Sequence, residues 1–202
     1  LSDQHIEEAI KDLKNKGLKE IKGDIVYDTS FLDAEGPRFG KSARHFYAPP
    51  SALSINKNCL RINLNKNVDD KIRVWLSPQT SYASLSSNLI YEEKMEPGRP
   101  LMQYEKKSWG DHYTFKGKLT DWEKKFDYMK VCVSRPGLYT GTLLLENCKR
   151  EGILVKGGIR QDTCKGNGVL LKTIHGEPLH KIRSEEHTSE LQSPCNLVCR
   201  LL

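Results

Sequence analysis

Two segments of this sequence share one pattern, and that pattern limits the folds open to it. Near the start, Ile6, Ala9, Ile10 and Leu13 recur at helical spacing behind Ser2 and Asp3, either of which can cap a helix. Lys14 and Lys16 fall in the last turn, Gly17 supplies a left-handed stop, and Glu20 to Asp28 then alternates as a strand would. From Ser134 a similar helix and strand follow. Ser134 reads as a cap, Pro136 lies in the first turn, Leu138, Thr142, Leu145 and Cys148 give an inner stripe, Gly152 ends the helix, and Ile153 to Ile159 reads as a strand. Everything between these ends favours strands. A helix–strand unit at each end of an all-β middle predicts an α+β fold interrupted by a small β insertion.

Within the middle, Cys59 to Leu64 and Lys71 to Leu76 alternate, with turn residues from Asn65 to Asp70. Asn88 to Lys94, His112 to Leu119 and Tyr128 to Val133 read as further strands. Pro97, Gly98 and Pro100 make the segment before His112 a loop, and Thr29 to Pro50 a second, longer one. Val169 to Thr173 reads as a last short strand. No internal repeat is apparent.

Composition excludes several functions. The net charge of +6 is spread among 32 basic and 26 acidic residues. There is no basic block and no aromatic ladder, so nucleic acid is not an expected partner. No apolar run approaches the ~20 residues that a membrane helix needs. Of the six cysteines, Cys195 and Cys199 lie in the C-terminal stretch set aside below, and the other four, Cys59, Cys132, Cys148 and Cys164, lack the close spacing of a zinc site, so neither a metal nor a cofactor is expected. Their spacing leaves three disulfide pairings open. His45 and His112 have no partner visible in the sequence, and Asp24, Asp28 and Asp33 form no convincing acid–base pair.

A resemblance emerges from four blocks taken in order: IKGDIVYDTSFLD from Ile21, FYAPPSALSINKNCLRINL, SRPGLYTGTLLLENCKREGILVKGGI and GEPLHKI. Together they resemble the low-molecular-mass penicillin-binding proteins of the D-alanyl-D-alanine carboxypeptidase/endopeptidase type. Ala48 to Leu53 with Asn58, and Tyr139 with Gly152 and Ile153, carry it best; Val68 to Asp121 matches weakly. The resemblance implies a parent serine peptidase of the cell wall, periplasmic or otherwise extracytoplasmic, acting on peptidoglycan stem peptides. It places residues 1–66 and 123–182 in an inserted α+β domain and 67–122 in a small all-β domain within it. Beginning at Leu1, the chain is expected to be an internal piece of that parent. A non-enzymatic extracytoplasmic module with the same domain is the alternative.

In such enzymes an S-x-x-K supplies the nucleophile and its proton acceptor, an S-x-N lines the site, and a K-T-G binds the substrate carboxylate. Ser54-Ile-Asn-Lys57 and Ser86-Ser87-Asn88 fit the first two by chance, and Lys172-Thr173 lacks the glycine. No catalytic residue is expected here. One substrate-binding position carries over: an aromatic near the A-P block, Phe46, whose ring either borders the cleft or packs behind its loop. The family's acidic position five residues earlier holds Lys41, which would repel an ammonium group. Either the loop alignment slips or the parent prefers another stem peptide. Finally, RSEEHTSELQS from Arg183 resembles the translation of a short-read sequencing adapter, so residues 183–202 are expected to be a non-native tail.

Overall fold

The computed structural model describes residues 1–32, 43–66, 72–91, 101–119, 128–164 and 168–176. Helix α1 spans Asp3–Asn15 behind Ser2, whose N–H donates to His5 Nδ1 at 3.2 Å. Ile6, Ala9 and Ile10 are buried on its inner face. Gly17 takes φ +97°, a conformation that side chains disfavour, and turns the chain out of the helix. The expected strand Glu20 to Asp28 is two short ones, β1 (Glu20–Ile21) and β2 (Ile25–Tyr27).

β3 (Cys59–Lys66) sits at the centre of a sheet with β4 (Ile72–Ser77) on one side and β8 (Tyr128–Cys132) on the other, antiparallel to both. A second sheet takes its strands from 83–119. β5 (Ala83–Tyr91) runs parallel to β7 (Asp111–Leu119), and β6 (Leu101–Lys106) pairs antiparallel to β7. Two expectations are corrected here. β5 begins five residues before Asn88, and β6 lies where only loop was read. The proline and glycine ahead of β6 masked a strand that begins immediately after Pro100.

The expected stripe of helix α2 (Pro136–Arg150) is also corrected. Leu138 and Leu145 are only partly buried, whereas Tyr139, Thr142, Leu143, Asn147 and Cys148 are buried. The remainder of the inner face is glycine. A Cβ on Gly137 would stand 2.7 Å from the Tyr27 ring, and one on Gly141 would stand 2.8 Å from Ile159 Cγ2. Glycines four residues apart share a face and let the helix press onto β2 and onto β10 (Ile159–Gln161), a contact that hydrophobic periodicity cannot register. Ser134 does not cap the helix. Arg135 occupies the N-cap position, and the Ser134 hydroxyl donates instead to Asp111 Oδ1 at 2.6 Å.

After Gly152 the chain forms β9 (Leu154–Val155) and then β10, two strands rather than the one expected from Ile153 to Ile159. β1 pairs parallel with β9, and β2 parallel with β10. The two ends of the chain are therefore one α–β–β unit repeated, with the helices packed together. The register aligns Lys22, Gly23, Ile25 and Asp28 with Lys156, Gly157, Ile159 and Asp162, an internal repeat that sequence inspection missed. Residues 169–173 form no strand, and Val169 is 86% exposed. A single core joins α1, the β3 sheet, the β7 sheet and α2 through Ile10, Leu60, Tyr82, Phe115, Val131 and Leu143.

Candidate functional site

Phe46 sits in a one-turn 3-10 segment, His45–Tyr47, that lies against the end of β8. The segment is held from both sides. Ala43 O accepts the Cys132 N–H at 2.8 Å and Arg44 bridges to Val131, so the chain enters as a short extra strand on β8. At its exit Asn58 Nδ2 donates to Pro49 O at 2.9 Å, and Pro49 and Pro50 restrict the backbone that follows. Between these anchors the Phe46 ring is 58% exposed, flanked edge-on by His45 at 5.4 Å and tilted against Tyr47 at 4.5 Å. The ring lies outside the core cluster of the described residues. Lys41 and Asp33 fall outside the described residues.

Neither the S-x-x-K match nor the S-x-N match opens a helix. Ser54 precedes a turn, Asn56–Asn58, in which Asn56, Lys57 and Asn58 all have φ between 53° and 57°. It does not begin a helix that could present it. Ser86 and Ser87 lie exposed within β5. Lys172 forms an ion pair with Asp12. His112, for which the sequence offered no partner, has two: Ser84 Oγ lies 2.5 Å from Nδ1 and Ser86 Oγ 3.1 Å from Nε2, across the parallel β5–β7 pair. Asp24 accepts from the Gly158 N–H and from Arg160, and Asp28 from the Ser30 and Cys164 N–H groups, so both carboxylates fasten the repeat. Hydrogen bonds from the Ser30 hydroxyl and the two N–H groups hold Asp28 below the usual carboxylate range. Among the described residues no group of three or more His, Cys, Asp or Glu side chains gathers as a metal site, and no helix is long and apolar enough to cross a membrane.

Two features were missed in the sequence. The first is a buried carboxylate. Asp111 accepts from the Ser134 N–H (2.7 Å), the Ser134 hydroxyl (2.6 Å) and the Tyr82 hydroxyl (3.0 Å), and Tyr82 in turn accepts the Arg135 N–H at 3.0 Å. The Tyr113 hydroxyl donates to Cys132 O at 2.8 Å beside it. Arg135 Nη2 donates to Lys107 O at 2.6 Å and closes the β6–β7 turn. This network ties the 83–119 sheet to the start of α2. Its signal was parity: Asp111 shares the inward face of β7 with Tyr113 and Phe115, so a carboxylate there had to find buried donors. The second is an open groove of about 390 Å³, lined by Asn56, Lys57, Cys59, Arg61 and Lys130 among others. Its lining comes from separate strands and turns, which only the fold brings together.

This α+β arrangement is one that solved penicillin-binding proteins share. The model of the D-Ala-D-Ala carboxypeptidase 3 (S13) family matches residues 1–186, and the chain belongs to that family. It is 23% identical over 176 residues to the D-alanyl-D-alanine carboxypeptidase DacB of Haemophilus influenzae, covering 84% of this chain and 36% of that protein. The crystal structure of penicillin binding protein 4 (dacB) from the same organism superposes with a TM-score of 0.62 at 20% identity, over 83% of this chain and 38% of that one. Its complex with a novel beta-lactam superposes with a TM-score of 0.54 at 19% identity, over 83% of this chain and 35% of that one. The chain thus spans little more than a third of the length of these relatives.

Proposed function

We propose that this chain is the non-nucleophilic part of a serine-type D-Ala-D-Ala carboxypeptidase/endopeptidase that acts on peptidoglycan outside the cytoplasm. The observation that carries the reading is Phe46, an aromatic ring on a loop fixed at both ends yet turned away from the core, in a member of this family. A ring held in that way can pack on the aliphatic stem of a peptide without a large ordering cost, because its anchors are already in place. Catalysis belongs to sequence outside this chain. In this reading residues 1–66 and 123–182 form one inserted domain and 67–122 a small domain carried on it. Direct pairing of β3 with β8 supports that division, as does a sheet drawn wholly from 83–119, although β4 pairs with β3. Residues 183–202 are read as non-native sequence, on the adapter-like RSEEHTSELQS from Arg183.

The test uses the longer protein that carries this segment. Phe46→Ala is expected to lower kcat/KM on a stem peptide about tenfold, the effect of losing one aromatic contact of ~1.5 kcal/mol. The rate of acylation by penicillin, which lacks the stem, should change less than twofold, and the melting temperature should hold. Equal loss in both rates with a fall in melting temperature would make Phe46 a structural residue and remove the proposed site.

A further inference from the structure

Cys59 and Cys132 lie directly opposite each other on β3 and β8. The hydrogen bonds around them define the kind of site they occupy. The Val133 N–H donates to Asn58 O, one step outside the pair. The Cys132 N–H turns away from β3 to Ala43 O, and its carbonyl accepts from the Tyr113 hydroxyl. The two cysteines therefore form a non-hydrogen-bonded pair, in which Cα atoms approach to about 4.5 Å and both side chains leave the same face. That separation falls within the roughly 4.4–6.8 Å that a disulfide spans. Both residues are thiols in the structure, and both are buried. Cys148 lies on α2 and Cys164 is exposed beyond β10, so of the pairings left open by the sequence the fold brings one into register.

We propose that Cys59 and Cys132 are an oxidation site that closes to a cross-strand disulfide when the protein meets a low-molecular-mass disulfide oxidant. The order of events follows from access. Cys59 lines the basic groove with Lys57, Arg61 and Lys130, whereas Cys132 is fully buried. The Cys59 thiolate attacks one sulfur of the oxidant, forms a mixed disulfide and releases the first reduced thiol. The Cys132 thiolate then attacks Cys59 Sγ and expels the second. Two protein thiols are oxidised, one oxidant disulfide is reduced to two thiols, and the two thiol protons pass through solvent to the products. Burial above all, and then the neighbouring Cys132, push the Cys59 thiol up to about 12, with Lys130 and Lys57 acting against them. The attacking thiolate is scarce at neutral pH, so closure is slow there and accelerates as pH rises.

The bridge would sit beneath the Phe46 segment. Cys59 Sγ lies 3.8 Å from His45 O, and the Cys132 N–H holds Ala43 O. It would also close the whole span from 59 to 132 into one loop, anchoring the 83–119 sheet at its base.

The experiment exposes the 202-residue chain to glutathione disulfide at pH 7 and pH 9, then maps tryptic peptides without reduction. The expected product is a Cys59–Cys132 cross-linked peptide that forms faster at pH 9, with a melting temperature higher by on the order of 5–10 °C than the reduced chain. Cys132→Ala should stop at a glutathione adduct on Cys59. A lasting adduct on Cys59 in the unmutated chain, a bridge from Cys59 or Cys132 to any of the other four cysteines, or no reaction at pH 9 would each overturn the proposal, and the unmutated map decides it even if the variant fails to fold.

Discussion

Removing the Asp111 carboxylate is the sharpest test of how the two sheets are joined. Asp111→Ala deletes the acceptor of the Ser134 N–H, the Ser134 hydroxyl and the Tyr82 hydroxyl. Ser134 is half-buried and can turn its hydroxyl to water, so that bond is discounted. The Ser134 N–H is left without an acceptor and the Tyr82 hydroxyl keeps only Ser134 Oγ at 3.5 Å, at roughly 1–3 kcal/mol each, which gives a loss of up to about 2–6 kcal/mol. Against a typical total of about 5–15 kcal/mol, that is a large fraction of the stability. Asp111→Asn keeps one carbonyl acceptor but points donors at donors, so it should fall between the variant and the unmutated chain. The assay is equilibrium urea unfolding followed by tryptophan fluorescence. A loss below about 1 kcal/mol for Asp111→Ala would mean that water replaces the carboxylate, and the network would not be the joint described here.

Gly110→Ala should destabilise by at least roughly 2–3 kcal/mol, since its Cβ would stand 1.7 Å from Tyr82 O and a backbone must shift; calorimetry of the pair of proteins measures it. Cys59 makes the fold sensitive to alkali. Its folded pKa of about 12 lies above its ordinary value of 9.0, so its contribution is full below pH 9 and is lost as pH rises from there toward 12. Under reducing conditions the melting temperature should therefore fall more steeply above pH 9 in the unmutated chain than in Cys59→Ala, and parallel slopes would refute this.

The sequence disclosed those elements whose apolar residues repeat without help. α1 was legible from Ile6, Ala9 and Ile10 with Gly17 behind them, and β3 from its alternation. α2 was found but its inner face was misjudged, because Gly137 and Gly141 make contact by having no side chain. β6 hid behind the prolines that precede it, and Val169 to Thr173 read as a strand because an apolar run carries no sign of whether a partner strand exists. The repeat of α1–β1–β2 in α2–β9–β10 rests on four matched residues, too few to stand out before the parallel register aligned them. At the candidate site, Phe46 came from family likeness and its exposure from the fold. Asp111 with Tyr82, and Cys59 with Cys132, are separated by tens of residues, and pairings of that kind are set by topology rather than by local pattern.

The central claim is that this family member carries a wall of the substrate cleft and not its nucleophile. Incubating the 202-residue chain with a labelled penicillin, then measuring covalent label by denaturing gel and intact mass, tests it most directly. Among the described residues no serine begins a helix beside a lysine, so the account predicts no covalent adduct. A stoichiometric acyl adduct on the unmutated chain that disappears in Ser54→Ala would contradict it.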